Sequence, residues 1–211
     1  MKVNIKKIDI TIEGITPLIM HNDTLCNPLH PITKKMKEIS GVRKKTDEHH
    51  LAMARIEWGS SFYEDKELGI YMPTKSIFAT IKSAAKKSKQ GKVIVNAINF
   101  SHAIGFPLNG LKGQTSDKLW KEINAEGLQP YVFCESVTVG RAKIMRTRPI
   151  FHKWSVDFDV MLDTEVLTIE DFKSFCEIAG SQCGLCELRP EKGNGSYGRF
   201  ELTKFEVKDG R

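Results

Sequence analysis

Five glycines, at 180, 184, 193, 195 and 198, alternate with the cations Arg189, Lys192 and Arg199 in one stretch of 211 residues: Gly180-Ser-Gln-Cys-Gly-Leu-Cys-Glu-Leu-Arg-Pro-Glu-Lys-Gly-Asn-Gly-Ser-Tyr-Gly-Arg-Phe200. Glycine lets backbone N–H groups approach a phosphate closely, and the guanidinium fork matches phosphate oxygens. The chemistry on offer is phosphate capture, and the ligand it points to is a nucleic acid. A helix C-cap at Gly180 followed by a surface hairpin turning at Gly193-Asn-Gly195 uses the same residues without a ligand. What separates the two is whether cations from other segments join the loop.

Such cations are present. Arg146 and Arg148 fall on one face of a strand, about 7 Å apart, while Arg141 and Lys143 have the other parity, which requires a bulge or a second basic face. Asp157, Asp159, Asp163 and Glu165 are the carboxylates available to neutralise one pair. Lys34, Lys35, Lys37, Arg43, Lys44 and Lys45 crowd one segment, and Lys82, Lys86, Lys87, Lys89 and Lys92 another. Tyr197 and Trp154 are candidates for base stacking, worth roughly 1–3 kcal/mol per base, although a lone strand Trp is more often core.

Catalytic signals are weaker. Of the six histidines, His21, beside Asn22 and Asp23, is the best-placed general base, but no acid/base pair stands out and no carboxylate cluster suggests a metal-dependent nuclease. Cys183-Gly-Leu-Cys186 has the spacing of half a zinc site, with no second pair to complete it. The five cysteines read as reduced structural thiols, and neither metal nor cofactor is expected.

The net charge of +6 and pI of about 9.0 suit an anionic partner. The length suits one domain, residues 1–211, with a basic loop inserted at about 21–45 and a second insertion at about 101–130. The chain opens on alternating Val3, Ile5, Ile8, Ile10 and Ile12, a strand rather than a signal peptide, and no apolar run is long enough for a bilayer. The expected location is the cytoplasm.

The elements that must position these groups follow from periodicity. A first strand over 2–20 bends at Gly14 and Pro17. Residues 21–45, broken by Pro28, Pro31 and Gly41, read as a long mobile loop. A short helix from Asp47 to Trp58, a hairpin over 63–71 and a helix entered at Pro73-Thr74, with Ile77, Phe78, Ile81 and Ala85 as its stripe, come next. Then a strand over 93–100, a helix near 116–125, a long strand over 131–151, a further strand, a helix over 168–179 capped by Thr168 and a final strand from Phe200 complete the chain. This order suits an α+β, ferredoxin-like or RRM-like antiparallel sheet, with helices on one face and the other face free for a ligand.

Tyr71-Met-Pro-Thr-Lys-Ser-Ile-Phe-Ala-Thr-Ile-Lys-Ser-Ala-Ala resembles the strand-to-helix entry of the RAMP superfamily, the RNA-binding modules of CRISPR effector complexes. The run from Gly184 to Phe200 resembles that superfamily's glycine-rich loop. Within the superfamily the chain is most similar to the backbone-forming seventh Cas family, and Arg146-Thr-Arg-Pro-Ile-Phe with Trp154 also resembles uncharacterised proteins of tailed bacteriophages. The resemblance spans roughly 70–205 and departs from the pattern at Cys186 and at Thr74-Lys-Ser76. It implies an RRM-like core, single-stranded nucleic acid in a basic groove and head-to-tail assembly along the strand.

The expected function is non-catalytic binding of single-stranded DNA or RNA, in replication, recombination or anti-defence. Lys34, Lys35, Arg43, Lys44, Lys45, Lys82, Arg141, Lys143, Arg146, Arg148, Arg189, Lys192, Tyr197 and Arg199 are the candidate contacts. The alternatives are a RAMP-type endoribonuclease, or a decoy that mimics a CRISPR subunit or captures a cyclic nucleotide.

Overall fold

The computed structural model describes residues 4–126, 131–140, 142–192 and 195–209. In chain order the elements are β1 (Ile5–Gly14), β2 (Leu18–Ile19), α1 (Pro31–Ser40), α2 (Asp47–Ser60), β3 (Glu64–Asp65), β4 (Gly69–Pro73), α3 (Thr74–Lys87) and α4 (Val93–Ala97). They continue with β5 (Ile98–Phe100), β6 (Gly105–Pro107), α5 (Ser116–Glu126), β7 (Val132–Val139), β8 (Ala142–Phe151), β9 (Ser155–Asp163), α6 (Ile169–Ile178) and β10 (Phe200–Asp209).

Strict alternation in β1 buries Ile8, Ile10 and Ile12 and turns Lys7, Asp9 and Thr11 outward, as a period of two requires. Strands β10, β1, β9 and β5 are neighbours in that order, antiparallel throughout. Counting only these four in sequence, the order is fourth, first, third, second, with α3 in the first crossover and α6 in the second. This is the ferredoxin-like arrangement the periodicity pointed to.

Both helices supply the other half of the core. Ile77, Ile81, Ala84 and Ala85 of α3 and Phe172, Phe175 and Cys176 of α6 are buried against the isoleucines of β1 and against Val156, Phe158, Val160 and Leu162 of β9. Thr168 caps α6, its side chain accepting from the Asp171 backbone N–H.

Two smaller sheets, β2-β8-β7 and β3-β4-β6, flank this sandwich. Helix α2 lies along β8, with Trp58 fully buried and its indole N–H donating to the Tyr131 carbonyl at 2.8 Å. The Arg55 guanidinium stacks over Trp58 and Trp120, 5.0 and 4.5 Å from the ring centroids.

Three expected elements differ. Residues 31–40 are helix rather than loop: Pro31 sits in the first turn, His30 Nδ1 accepts from the Ile32 backbone N–H, and α1 packs on α2. Residues 93–97 are helical, not extended. Their β-branched run reads as strand, yet burying Ile94 and Ala97 together takes the three-residue spacing of a helix, and that packing outweighs propensity. The single strand expected over 131–151 is the β7–β8 hairpin, turning at Gly140, whose φ of 63° suits glycine. Two strands that alternate in the same way on either side of a tight turn look continuous in sequence.

Candidate functional site

The glycine-rich segment is stitched to three other elements before it can meet a ligand. Gly184 N–H donates to the Ala179 carbonyl at 2.8 Å, and the Gly184 carbonyl accepts from Thr80 Oγ1 of α3 at 3.0 Å. Glu187 N–H donates to the Ile19 carbonyl at 3.1 Å and Gly198 N–H to the Pro17 carbonyl at 2.8 Å. Gly198 has a φ of +69°, and a Cβ there would lie 2.0 Å from the Leu185 carbonyl oxygen. Cys186 and Leu188 take left-handed φ values of 63° and 52° without being glycine, which places backbone strain in the loop's cleft-facing arm.

Between that arm and the start of α3 lies a cleft of about 550 Å³, lined by His21, Tyr63, Lys75, Ser76, Glu187, Arg189 and Lys192 among others. His21, Glu187 and Leu188 also line an adjoining pocket of about 280 Å³ with Arg146, Arg148 and Phe133. The two form one trough. Lys75 and Lys192 stand exposed at its mouth.

A chain of ion pairs runs beneath it. Buried Glu57 of α2 holds Arg146 Nη1 at 3.0 Å, Arg148 Nη1 at 2.8 Å and the Thr147 backbone N–H at 2.9 Å. Arg148 Nε donates to Glu187 at 3.1 Å, and Glu187 lies 3.3 Å from His21 Nδ1. Burial pushes the Glu187 carboxyl up, but His21 and Arg148 together outweigh it and hold it below its ordinary value. Tyr63, whose hydroxyl donates to the His21 carbonyl, is pushed up to about 12, first by burial and then by Cys186 and Asp23.

These pairs correct the expected roles of the two strand arginines. Arg148 is 6% exposed and shared between two carboxylates, so it is a structural cation and not a phosphate ligand. Arg146 keeps an open side, 38% of its side chain being exposed. The acids responsible are Glu57 and Glu187, not the expected Asp157, Asp159, Asp163 or Glu165. Neither was a candidate, because ion pairing across 89 residues for Glu57 and 39 for Glu187 leaves no local trace.

The remaining candidates divide. Lys143 is exposed on the opposite face of β8, in unbroken register with Thr138, so the hairpin has two faces and no bulge. Arg141 lies outside the described residues. Lys34, Lys35, Arg43 and Lys44 are exposed on and after α1, whereas Lys45 donates to the Val42 carbonyl at 3.0 Å. Lys82 is half-buried, 5.9 Å from the Phe78 ring.

Arg189 is largely occupied, donating to the Cys186 carbonyl at 2.7 Å and to Glu191. The Arg199 backbone is tied to Ile15 and Thr16, and its buried Nε has no hydrogen-bond partner among the described residues. Both aromatics have partners inside the protein. Tyr197 packs edge-on against Phe133 at 5.6 Å, and Trp154 is buried with its indole N–H on the Thr16 carbonyl.

The uncovered face of the main sheet is a further correction. By register it presents Asp9, Glu13, Asp157, Asp159, Asp163, Glu201 and Glu206 against Lys7, Lys204 and Lys208, and its outward positions carry no aromatic ring. An acidic face without stacking platforms repels a polyanion, so the RRM mode of binding across the sheet does not carry over.

Burial raises the Cys176, Cys183 and Cys186 thiols, that of Cys186 to about 12, so all three stay protonated at neutral pH. Among the described residues no group of three or more His, Cys, Asp or Glu could hold a metal ion, and no helix is long and apolar enough to cross a membrane.

No family model matches the sequence, and no curated protein matches it. Among solved structures, a chain of a Type III-B Cmr-beta complex bound to cognate target RNA aligns with a TM-score of 0.48 at 15% identity. The alignment covers 98% of this chain and 61% of that one, so this chain spans less than two thirds of its length.

Proposed function

We propose that the protein binds single-stranded nucleic acid, RNA or DNA, in the trough between the glycine-rich loop and the start of α3, and holds the strand without cutting it. The observation that carries this is the meeting, in one open trough, of Lys75, Arg146 and Lys192 from three separate parts of the chain beside a strained, glycine-hinged backbone. Lysine and arginine there neutralise phosphates, and the counterions released drive binding irrespective of sequence. The Cmr-beta structure, itself bound to target RNA, is consistent with RNA as the ligand.

The test is anisotropy with labelled oligonucleotides across a salt series. Log affinity falls with log salt at a slope near −0.7 per phosphate contact, and Lys75→Ala with Lys192→Ala lowers its magnitude by about 1.4. A slope near zero refutes the proposal.

One observation favours a second possibility, an endoribonuclease. His21 sits in the trough oriented by Glu187, a geometry in which an imidazole can take the proton of a ribose 2′-hydroxyl. RNA left intact after prolonged incubation supports the holding role, whereas cleavage that is lost in His21→Ala establishes the nuclease.

A further inference from the structure

The lysines at the far end of α3 form a groove that the trough does not use. About 570 Å³ in volume, it is bounded by Lys82 and Lys86 of α3, Lys89, Gly91 and Lys92 of the following turn, and Val95 and Asn96 of α4. No acid lines it, and among the described residues no carboxylate lies within ion-pair distance of these four lysines. Lysine clusters on helix surfaces ordinarily alternate with acids, and here they do not.

The backbone of the turn adds a second observation. Lys89 has a φ of 60°, a left-handed conformation that glycine or asparagine adopts more easily at a helix end. A lysine held there keeps a cation at the groove at the expense of local strain, the kind of outlier that marks a functional position. Gly91 allows the approach of the Lys86 side chain, since a Cβ on it would lie 2.5 Å from Lys86 Cγ.

We infer that this groove is a second phosphate-binding segment for the same single strand, which leaves the trough and runs along α3. The inference rests on the trough's being the first segment. From Lys75 at the trough to Lys86 at the groove is 11 residues of α3, about 17 Å at the helical rise of 1.5 Å per residue, a span that several nucleotides bridge. The chemistry favours a polynucleotide over a small anion. The groove offers compact ammonium charges in the open, with no guanidinium fork and no enclosed donors to fix one phosphate, and exposed Val95 gives an apolar contact to a base.

The helix dipole competes as an explanation, because Lys86 and Lys87 lie in the last turn of α3, where cations stabilise the helix end. Stability measurements separate the two.

The experiment compares wild type, Lys86→Gln/Lys89→Gln/Lys92→Gln and Lys75→Ala/Lys192→Ala on oligonucleotides of about 4 and about 16 nucleotides, by anisotropy over a salt series with melting in parallel. The groove variant is expected to match wild type on the short oligonucleotide and to lose about tenfold on the long one, its salt slope falling in magnitude by about 2 for three contacts. The trough variant weakens on both. Lys89→Gly, which relieves the strained φ while removing one charge, is expected to melt no lower than wild type and to lose about 0.7 of slope.

Unchanged affinity and slope on the long oligonucleotide, with wild type binding normally, overturn the groove and leave the trough standing. A wild type that binds neither length overturns both. Equal loss on short and long overturns the separation into two segments, and a lower melting temperature with no change in slope assigns the lysines to the helix end.

Discussion

Arg148 shows how much a residue's meaning depends on what faces it. By type and spacing it matched a phosphate ligand, but it is enclosed by Glu57 and Glu187. Removing it leaves buried Glu57 with reduced compensation, so Arg148→Ala should cost about 3 kcal/mol in urea unfolding, with part recovered by adding Glu57→Gln. Equal stability of Arg148→Ala and wild type would show the pair to be dispensable. Glu187 makes a pH prediction. Because its folded-state value is depressed, its contribution is present above the ordinary carboxylate range and is lost as pH falls through the folded value. Melting temperature should therefore drop on acidification below about pH 5 more steeply in wild type than in Glu187→Gln. The thiols allow a third check: exposed Cys26 and Cys134 should react with a thiol reagent at neutral pH, while protonated Cys176, Cys183 and Cys186 stay unlabelled until the protein unfolds.

At the scale of elements, the glycine-rich loop works by being fixed. Gly198→Ala combines a left-handed backbone with a clash against the Leu185 carbonyl, and should cost at least about 1–2 kcal/mol while weakening oligonucleotide binding. Retained affinity in a stable Gly198→Ala variant would mean that the loop's shape is irrelevant to the ligand. Helix α1 departs most from its expected character. As a mobile flap its removal would leave stability untouched, but Thr33 is buried and α1 packs on α2. Deletion of residues 31–45 is expected to lower the melting temperature by several degrees, whereas Lys34→Gln with Lys35→Gln, both exposed, should leave it unchanged.

On the scale of the whole molecule, the two sides of the main sheet carry opposite electrostatic character. Cations line the trough and the groove on the helix side, and acids dominate the uncovered side. Replacing Lys204 and Lys208 by Gln on the acidic face should not change oligonucleotide affinity or its salt slope, although both are exposed lysines of the kind that bind phosphate elsewhere. A fall comparable to that of the Lys75/Lys192 variant would place the strand on the sheet.

The main sheet and its two helices were legible in the sequence because each is written in local periodicity: the isoleucines of β1, the stripe of α3, and the Thr168 cap of α6. That residues 180–199 form an irregular connection between α6 and β10 was legible too, since five glycines in that stretch suit neither helix nor strand. Strand 131–151 and segment 93–97 were misread because a tight turn between two like strands, and one buried helical turn of β-branched residues, leave the same pattern as a continuous strand. Among the candidate contacts, only the tertiary structure separated the exposed cation Lys192 from Arg148 and Arg189, which the fold consumes, and it added exposed Lys75 and Lys89, which were not candidates. The physical reason is one of range: periodicity acts over a few residues, whereas a charge is cancelled by whatever carboxylate lies within 4 Å, and for Arg148 that carboxylate is Glu57, 91 positions away in the chain.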